Sequence, residues 1–446
     1  MNSETSRCLG HYVTLVRGTT YKGSLVGAPG PALLGLGAIE PGGGFRETEF
    51  KTYGGECPEK LMLFPGDLFA ALKGATKDGK MIGSVARVPD LVPGGRLTQD
   101  TVKLDFIESH EATKTYIYWL LRTPQYREYC AGRAMGSAVV ALSREDFLSY
   151  PVPPCTAPRA HLVDLLEEIE RRCRVLRENS ATLEAIGQAL FKSWFVDFEP
   201  IRAKQEGRAP ERMVETVAAL FPDEFEESKL GLVPTGWRAS TLADLMKDCD
   251  GTLQTGPFGS QLHASDYVEH GIPVVMPKDI QGRRVDAATA ARIRPEDADR
   301  LQKHKLKSGD IVFSRRGDVE RHALISEREV GWLCGTGCLL VRPGPSFMSS
   351  SFLSMTLDAP RARQWLVRHA IGATMPNLNT SILGSVPVLV PDTKVLEIFE
   401  ETVSATEAQL TANSKLETTL SSIRDMLLLR LNSGELRLSE AAALVA

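Results

Sequence analysis

Apolar residues recur at alternating spacings of four and three residues in two long stretches of the chain. In the first stretch the positions are Leu162, Leu166, Ile169, Cys173, Leu176, Ser180, Leu183, Gly187, Leu190 and Trp194. No proline lies between Ala160 and Glu199. This spacing predicts a long helix with one narrow apolar seam that contains two weak layers, as in a coiled coil.

A second stretch near the end of the chain has the same spacing. Its positions are Leu396, Phe399, Val403, Thr406, Leu410 and Asn413 and, after a phase slip of one residue, Leu416, Leu420, Ile423, Leu427 and Leu431. The slip predicts a local overwinding of the coil. Asp392 or Thr393 can cap the start of this helix, and Ser433-Gly434 can end it.

Each of the two seams needs an apolar partner. A stripe of two apolar positions in seven suits pairing of the two helices with each other. The alternative is that each helix lies separately on the surface of its own globular domain, for which a wider stripe is typical.

The two halves of the chain repeat one another. Tyr21-Lys22-Gly23-Ser24 aligns with Pro257-Phe258-Gly259-Ser260, and Pro65-Gly66-Asp67-Leu68 aligns with Ser308-Gly309-Asp310-Ile311. Gly136-Ser137-Ala138 aligns with Gly372-Ala373-Thr374, Tyr150-Pro151-Val152 with Val386-Pro387-Val388, and Leu183-Glu184 with Leu416-Glu417. The offsets stay between 233 and 243 residues. Five matches in one order predict two copies of one module, separated by small insertions in loops.

Each copy begins with a region rich in glycine, proline and short β-like runs, and a long helix follows it. The predicted fold class is therefore α+β, with two β-rich modules that are each followed by a long helix. The predicted bounds are 1–157 for the first module, 158–200 for the first long helix and the central region that ends it, 201–230 for a polar linker, 231–391 for the second module, and 392–446 for the second long helix and the C-terminal region that follows it.

Composition fits an ordinary soluble protein, with 43% hydrophobic and 24% charged residues and a net charge of −4. No apolar stretch approaches the roughly 18 residues that span a bilayer, and the N-terminus is unlike a signal peptide. We therefore expect a cytoplasmic protein with no membrane contact. The eight cysteines are scattered, which indicates reduced thiols and no zinc site.

Motifs for catalysis and for metal or cofactor binding are missing. The sequence has no phosphate-binding G-x-x-x-x-G-K-[ST] loop, no dinucleotide fingerprint, no G-x-S-x-G elbow and no H-E-x-x-H pair. Asp223, Glu227 and Lys229 are the nearest approach to a nuclease metal site. Because they lie in a polar run without recognisable flanking strands, we interpret them as part of a solvated linker. We expect no catalytic residues, no metal and no cofactor.

Charge is unevenly distributed along the chain. Between Lys278 and Arg328, 13 Lys and Arg face nine Asp and Glu, whereas between Ala160 and Leu230 ten basic residues face 15 acidic ones. Basic modules and acidic helices are expected if the modules meet an anion such as DNA. The candidate DNA contacts are Lys278, Arg283, Arg284, Arg315 and Arg316 in the second module, with Arg46, Lys51, Lys73 and Lys77 as weaker counterparts in the first. Of these, we expect Arg315 or Arg316 to reach a base edge.

Several motifs resemble those of one known family. Residues 190–204 read Leu-Phe-Lys-Ser-Trp-Phe-Val-Asp-Phe-Glu-Pro-Ile-Arg-Ala-Lys, and this run strongly resembles the central conserved region of specificity subunits from type I restriction-modification enzymes. The other matching passages are Gly236-Trp237-Arg238, Thr255-Gly256-Pro257-Phe258-Gly259-Ser260, residues 372–379 and Leu431-Asn432-Ser433-Gly434-Glu435-Leu436. Motif order, duplication and helix placement agree over essentially the whole chain.

The resemblance implies a DNA-reading scaffold without catalytic activity. In that family each module is a target recognition domain that reads one half of a split, asymmetric site in double-stranded DNA, and the antiparallel helices set the gap between the halves. The helices and the central region dock two methyltransferase subunits, and the complex can recruit motor-nuclease restriction subunits. The resemblance adds Ser260 to the expected DNA contacts and assigns Leu190, Trp194, Phe195 and Phe198 to partner binding.

Two other classes of function remain open. A stand-alone magnesium-dependent nuclease would use Asp223, Glu227 and Lys229 as its metal site and would cut DNA without partners. A coiled-coil scaffold for protein interactions alone would show no salt-dependent DNA binding.

Overall fold

The structure is a computed structural model that describes residues 7–47, 50–74, 80–135, 140–211, 213–287, 289–347, 349–372 and 374–433. The chain forms two compact units. The first contains Met1–Val175 and Leu416–Ala446, and the second contains Leu176–Lys415. Both long helices therefore contribute residues to both units.

The first unit contains nine short strands, three short helices and the start of a long helix within the described residues. The strands are β1 (Arg7–Cys8), β2 (Val13–Arg17), β3 (Ala32–Leu34), β4 (Met62–Leu63), β5 (Leu68–Ala71), β6 (Val85–Arg87), β7 (Gly95–Leu97), β8 (Thr101–Phe106) and β9 (Pro151–Val152). The helices are α1 (Glu111–Leu120), α2 (Pro124–Arg133), α3 (Arg144–Leu148) and the long α4 (Ala157–Phe195). Single turns of 3-10 helix occur at Leu9–His11, Gly23–Leu25, Leu36–Ala38 and Glu59–Leu61.

The second unit continues with more strands and helices. Its strands are β10 (Phe225–Ser228), β11 (Gly231–Pro234), β12 (Arg238–Thr241), β13 (Thr252–Thr255), β14 (Tyr267–Val268), β15 (Ile272–Val275), β16 (Ile280–Gln281), β17 (Arg284–Val285), β18 (Ala291–Ile293), β19 (Ile311–Ser314), β20 (His322–Leu324), β21 (Leu333–Cys334), β22 (Cys338–Arg342) and β23 (Pro387–Val390). Its helices are α5 (Glu199–Gln205), α6 (Glu215–Ala218), α7 (Leu242–Asp248), α8 (Pro295–Arg300), α9 (Ser350–Asp358), α10 (Pro360–His369), α11 (Thr380–Gly384) and the long α12 (Thr393–Leu431). Its 3-10 turns are Ala264–Asp266, Pro277–Asp279, Gln302–His304 and Glu327–Glu329.

The two units share one topology. The main sheet has the order β2-β8-β5-β6 in the first unit and β13-β22-β19-β20 in the second, with all neighbours antiparallel. Each unit also has one parallel pair, β3 with β7 and β15 with β21, and one pair of strands that brackets its module, β1 with β9 and β12 with β23. The repeat in the sequence is therefore a repeat of structure.

The long helices α4 and α12 are 39 residues each. Helix α4 begins at Ala157, one residue before the segment predicted over 158–200, and it ends at Phe195. Helix α5 follows it after Phe198, whose φ of 54° is left-handed. A bulky side chain rarely adopts that conformation, so Phe198 marks a sharp change of direction.

The helices pair in an antiparallel direction within each unit. In the first unit the start of α4 contributes Leu162 and Leu166 to the same core as Leu427 and Leu431 from the end of α12. In the second unit the end of α4 and the start of α12 share another core that contains the rings of Phe191, Trp194, Phe195 and Phe399. The seam residues predicted for α4 are all buried or half-buried.

The seam of α12 differs from the prediction at one position. Leu416 is 50% exposed, so it does not belong to the seam. Its neighbour Glu417 is half-buried. The later predicted seam residues Leu420 and Ile423 pack against the core of the first unit that contains Leu427 and Leu431.

The region predicted as a polar linker, 201–230, also differs from the expectation. It contains α5, α6 and the first strand of the hairpin β10–β11. Ile201 and Phe221 from this region are buried against Trp194 and Trp237 in the core of the second unit. A few apolar residues spaced among many acidic ones are enough to fold this segment onto the aromatic cluster.

Within the described part of the chain, no helix is long and apolar enough to cross a membrane.

Candidate nucleic-acid interface

Four loops meet at one end of the main sheet in the second unit. Strands β13 and β19 end there, and β22 begins there. The amide of Gly256 donates to the carbonyl of Cys338 (2.9 Å), and the amide of Arg315 donates to the carbonyl of Gly337 (2.9 Å). We call this edge the loop end of the module; the described residues of its loops are 256–260, 315–317, 335–337, 371–372 and 374–377.

Close approach between two of these loops requires glycine. A Cβ atom on Gly256 would lie 1.8 Å from the carbonyl oxygen of Gly335. The first unit has the same contact, because a Cβ on Gly18 would lie 1.8 Å from the carbonyl oxygen of Thr98. Close packing therefore explains why the Thr-Gly-Pro-Phe-Gly-Ser motif has a glycine at position 256. Gly18 is its structural counterpart in the first module.

A small three-segment ladder places Arg316 on the outside of the loop end. Arg316 pairs with Asn377, and Asn377 pairs with Ile371, both in antiparallel bridges. Alternate residues of extended chain point to opposite sides. Leu378 and the Nε atom of Arg315 are buried, and this Nε has no hydrogen-bond partner among the described residues. Arg316 is exposed, so its side chain points outward.

The first unit contains the same ladder. Lys73 pairs with Ala141, which pairs with Met135. Leu72 and Leu142, the neighbours in sequence, are buried, so Lys73 faces away from the core. Lys73 therefore corresponds to Arg316. Within the described residues, neither cation has a carboxylate at ion-pair distance.

The structure brings together only some of the predicted DNA contacts. Arg315, Arg316 and the exposed Ser260 lie at the loop end of the second module, and Lys73 lies at that of the first. Lys77 lies outside the described residues. DNA contact by these residues stays a prediction, with Arg316 better placed than Arg315 to reach a base.

Arg284 lies elsewhere and contacts the long helices. Its Nε donates to Glu184 of α4 (2.8 Å), and its Nη2 lies 3.5 Å from Glu407 of α12. Arg283 adopts a left-handed φ of 62° and makes a long hydrogen bond of 3.5 Å from its Nη1 to the hydroxyl of Ser354. The turn containing both arginines is therefore directed towards the helices and not towards the loop end.

The remaining predicted cations are not members of the ladders. Lys278 follows Pro277, whose ring lies against Gly337 of the loop end. Lys278 is exposed, and its Nζ donates to the carbonyl of Thr289 (2.8 Å). Arg46 forms an ion pair with Glu40 (3.1 Å). Lys51 is exposed beside the short strand β3.

An ionic cluster that the sequence reasoning missed holds the first module to α4. Arg87 bonds Glu167 (3.0 Å) and Glu170 (2.8 Å), and Arg122 bonds Glu170 (2.7 Å). Burial alone would raise the pKa of Glu170, but Arg122 and Arg87 hold it below its usual value. The only sequence signal was two glutamates three apart on one helix face, which is common on solvated helices.

Two known proteins and one solved structure resemble this chain. The Type I restriction enzyme HindI specificity subunit of Haemophilus influenzae is 26% identical over 314 residues, which are 62% of this chain and 66% of that protein. The Type I restriction enzyme MjaIX specificity subunit of Methanocaldococcus jannaschii is 22% identical over 73% of this chain and 69% of that protein. The S subunit of a Type-I restriction-modification system from M. genitalium superposes with a TM-score of 0.57 at 15% identity, covering 97% of both chains. No known family profile matches the chain.

The chain resembles type I restriction specificity subunits in sequence and in fold. This confirms the resemblance inferred from the motifs and the predicted α+β fold of two β-rich modules, each followed by a long helix. The matches span about two thirds of each curated specificity subunit.

The central motif of specificity subunits lies in an aromatic core in this chain. Trp194 is 6% exposed and Phe195 is 9% exposed, and both pack against Phe399. Leu190 and Phe198 are half-buried at the edge of the same core. The motif thus builds the end of the helix pair, and of the four residues predicted for partner binding, Leu190 and Phe198 have the more accessible side chains.

The residues of the nuclease alternative are not assembled into a site. Asp223 is 80% exposed in its side chain and pairs with Lys204 (2.9 Å). Glu227 lies in the hairpin strand β10, and Lys229 lies in the turn that follows it. Among the described residues, no cluster of three or more metal-ligating side chains occurs.

Proposed function

We propose that this chain is the non-catalytic specificity subunit of a type I restriction-modification complex, and that its two modules read the two halves of a split site in double-stranded DNA. The observation that supports this most strongly is the duplicated loop end. Each loop end carries one outward cation, Lys73 or Arg316, on the same three-segment ladder. Two copies of one reading surface in one chain suit a target with two separate parts.

In this proposal the loop ends position the protein on DNA and contact the bases, and they do not catalyse any reaction. Arg316 has an exposed guanidinium that can donate two hydrogen bonds to a guanine edge. The short loops around it are held by backbone hydrogen bonds, so the guanidinium starts from a fixed point of the backbone. Lys73 is the corresponding cation for the other half-site.

The partners proposed for the helical part are two methyltransferase subunits, together with motor-nuclease restriction subunits. Support comes from the half-buried Leu190 and Phe198 at the aromatic end of the helices. Such a complex acts on chromosomal and foreign DNA in the cytoplasm.

Methylome sequencing tests the function. A host that expresses the chain with its methyltransferase should gain adenine methylation at one split, asymmetric motif. Arg316→Ala should relax the base preference in one half only, and Lys73→Ala should weaken methylation through the other half. Each loss is expected to be about tenfold, the size of one good base contact. Methylation without a split motif, or none at all, would refute the proposal.

Each module has a matched control outside its ladder. Lys307→Ala removes one charge just before β19, whereas Arg316 follows the end of that strand. Lys60→Ala removes one charge just before β4 in the first module. Neither should alter the methylated motif. A chain that cuts DNA alone with magnesium would favour the nuclease, and salt-independent DNA affinity in the assembled complex would favour the pure interaction scaffold.

A further inference from the structure

The ladder at each loop end also presents an apolar side chain to solvent. Ile371 is 63% exposed in the second module, and Met135 is 75% exposed in the first. The two residues are 236 positions apart, the offset that three of the five sequence matches of the repeat also have. Single exposed apolar residues are common on protein surfaces and need no explanation. The recurrence of one at the same place in both modules does need one.

Backbone hydrogen bonds fix each of these residues firmly. The amide of Ile371 donates to the carbonyl of Asn377 (3.0 Å), and the amide of Asn377 donates back (2.9 Å). Met135 and Ala141 form the same reciprocal pair at 3.0 and 2.9 Å. Each apolar side chain therefore projects from a hydrogen-bonded bridge just after a helix, α10 or α2.

The apolar residue and the cation of each ladder point to the same side. Residues paired directly across a ladder direct their side chains to one face. Ile371 pairs with Asn377 and Asn377 pairs with Arg316. The side chains of Ile371 and Arg316 are exposed, whereas Asn377 between them is half-buried and its Oδ1 atom is buried. Adjacent strands lie about 4.8 Å apart, which places Ile371 and Arg316 roughly 10 Å from each other at their backbones. Met135 and Lys73 have the same relation.

We propose that Ile371 and Met135 contact DNA bases directly, each beside the cation of its own module. This inference rests on the proposed function and adds a second kind of contact to it. The cation attracts the duplex to the ladder face, and the apolar side chain then presses against an apolar part of a base. Two base surfaces fit this chemistry: the methyl group of thymine and the face of a base at a partly opened step.

The variants Ile371→Ser and Met135→Ser test the proposal in the complete complex with methyltransferase, on a duplex that contains the motif found by methylome sequencing. Each should weaken binding about tenfold. The slope of log K against log salt should stay unchanged, because no phosphate contact is lost. Base preference should relax in one half of the motif for Ile371→Ser and in the other half for Met135→Ser.

Controls are exposed apolar residues away from the loop ends. Val330→Ser lies beside Leu306 at the opposite end of the second sheet, and Val330 is 47% exposed. Ile107→Ser follows the far end of β8, and Ile107 is 60% exposed. Both should bind as the unsubstituted complex does. All four variants should keep the thermal unfolding temperature of the original chain, which separates loss of contact from loss of folding.

The two base surfaces are distinguished with modified duplexes. Uracil in place of thymine should weaken binding by the original chain, but not by the Ser variant, if a methyl group is touched. Increased fluorescence of 2-aminopurine at one step indicates an opened base step. Unchanged affinity and base preference in both Ser variants, with Arg316→Ala still defective, would overturn this inference and leave the proposed function standing. Absence of any salt-dependent DNA binding by the original complex would overturn both.

Discussion

Individual charged residues in this chain have two kinds of surroundings. One kind lies between a module and a long helix, as Arg87, Arg122 and Arg284 do, and each is bonded to a glutamate of α4. The other kind, Lys73 and Arg316, has no such partner among the described residues. The sequence alone does not distinguish the two kinds. Arg283-Arg284 and Arg315-Arg316, for example, are both arginine pairs next to a glycine. The difference arises from contacts with residues far away in the chain.

The ionic cluster around Glu170 is expected to stabilise the first unit. Arg122 has only 6% of its side chain exposed, so Glu170→Ala leaves a buried charge without its main partner. We expect the unfolding free energy of the first unit to fall by about 2 kcal/mol. This is less than for a fully buried ion pair, because about one third of the Glu170 side chain is exposed. Denaturant unfolding, followed by a probe in the first unit, measures the loss.

Glu168→Ala is the matched control, since among the described residues Glu168 pairs with Arg171 and Arg172 on the exposed side of α4. Its effect should be much smaller than that of Glu170→Ala, because an exposed ion pair contributes little to stability. The Glu170 contribution also depends on pH. Because the pKa of Glu170 is lower in the folded chain than in the unfolded chain, its stabilisation is complete above about pH 5 and is lost as the pH falls through the folded value. Equal losses for the two variants would contradict the role given to the cluster.

At the scale of elements, the helices were more predictable than the loops. Heptad spacing is a local signal, and α4 and α12 each begin within one residue of the predicted start. The change of direction after α4 was not predicted, because the left-handed Phe198 has no local sequence signature. The loop end was harder still. The choice between Arg315 and Arg316 depends on pairing with Asn377, some sixty residues away in the sequence.

The two loops that contain Gly256 and Gly335 approach each other closely beside β13, so their packing is expected to affect the stability of the second unit. Gly256→Ala would place a methyl group 1.8 Å from the carbonyl oxygen of Gly335, so one loop must move. We expect a loss of about 2 kcal/mol or more in the second unit, similar to other overpacked sites. Gly259→Ala in the same motif is the control, because no atom lies within 4 Å of its added Cβ. Thermal unfolding compares the two, and equal stability of both variants would rule out the steric reason for Gly256.

At the scale of the whole molecule, the first unit is discontinuous in sequence. It is completed by the last part of α12, which follows the entire second module. Arg159 donates to the backbone carbonyls of Leu431 (3.3 Å) and Asn432 (2.9 Å), and Leu431 is fully buried in the core of the first module. The two compact units therefore do not coincide with the two repeated halves of the sequence, because the last part of α12 belongs to the first unit. The sequence repeat predicted the modules, and the antiparallel helices implied by the family resemblance already place the end of α12 beside the start of α4.

A charge placed in the last turn of α12 should therefore destabilise the first module, although the two are separated by more than two hundred residues in sequence. Leu431→Asp would bury an unpaired carboxylate against the seam around Leu162 and Leu166, at a cost of several kcal/mol. Leu429→Asp is the matched control, two residues away, because Leu429 is 53% exposed. Hydrogen exchange should show faster exchange in α1 and in the sheet of the first unit for Leu431→Asp, and little change for Leu429→Asp. If hydrogen exchange became faster only within α12, the first module would be stable without this helix. The boundary between the two units would then have to follow the sequence repeat.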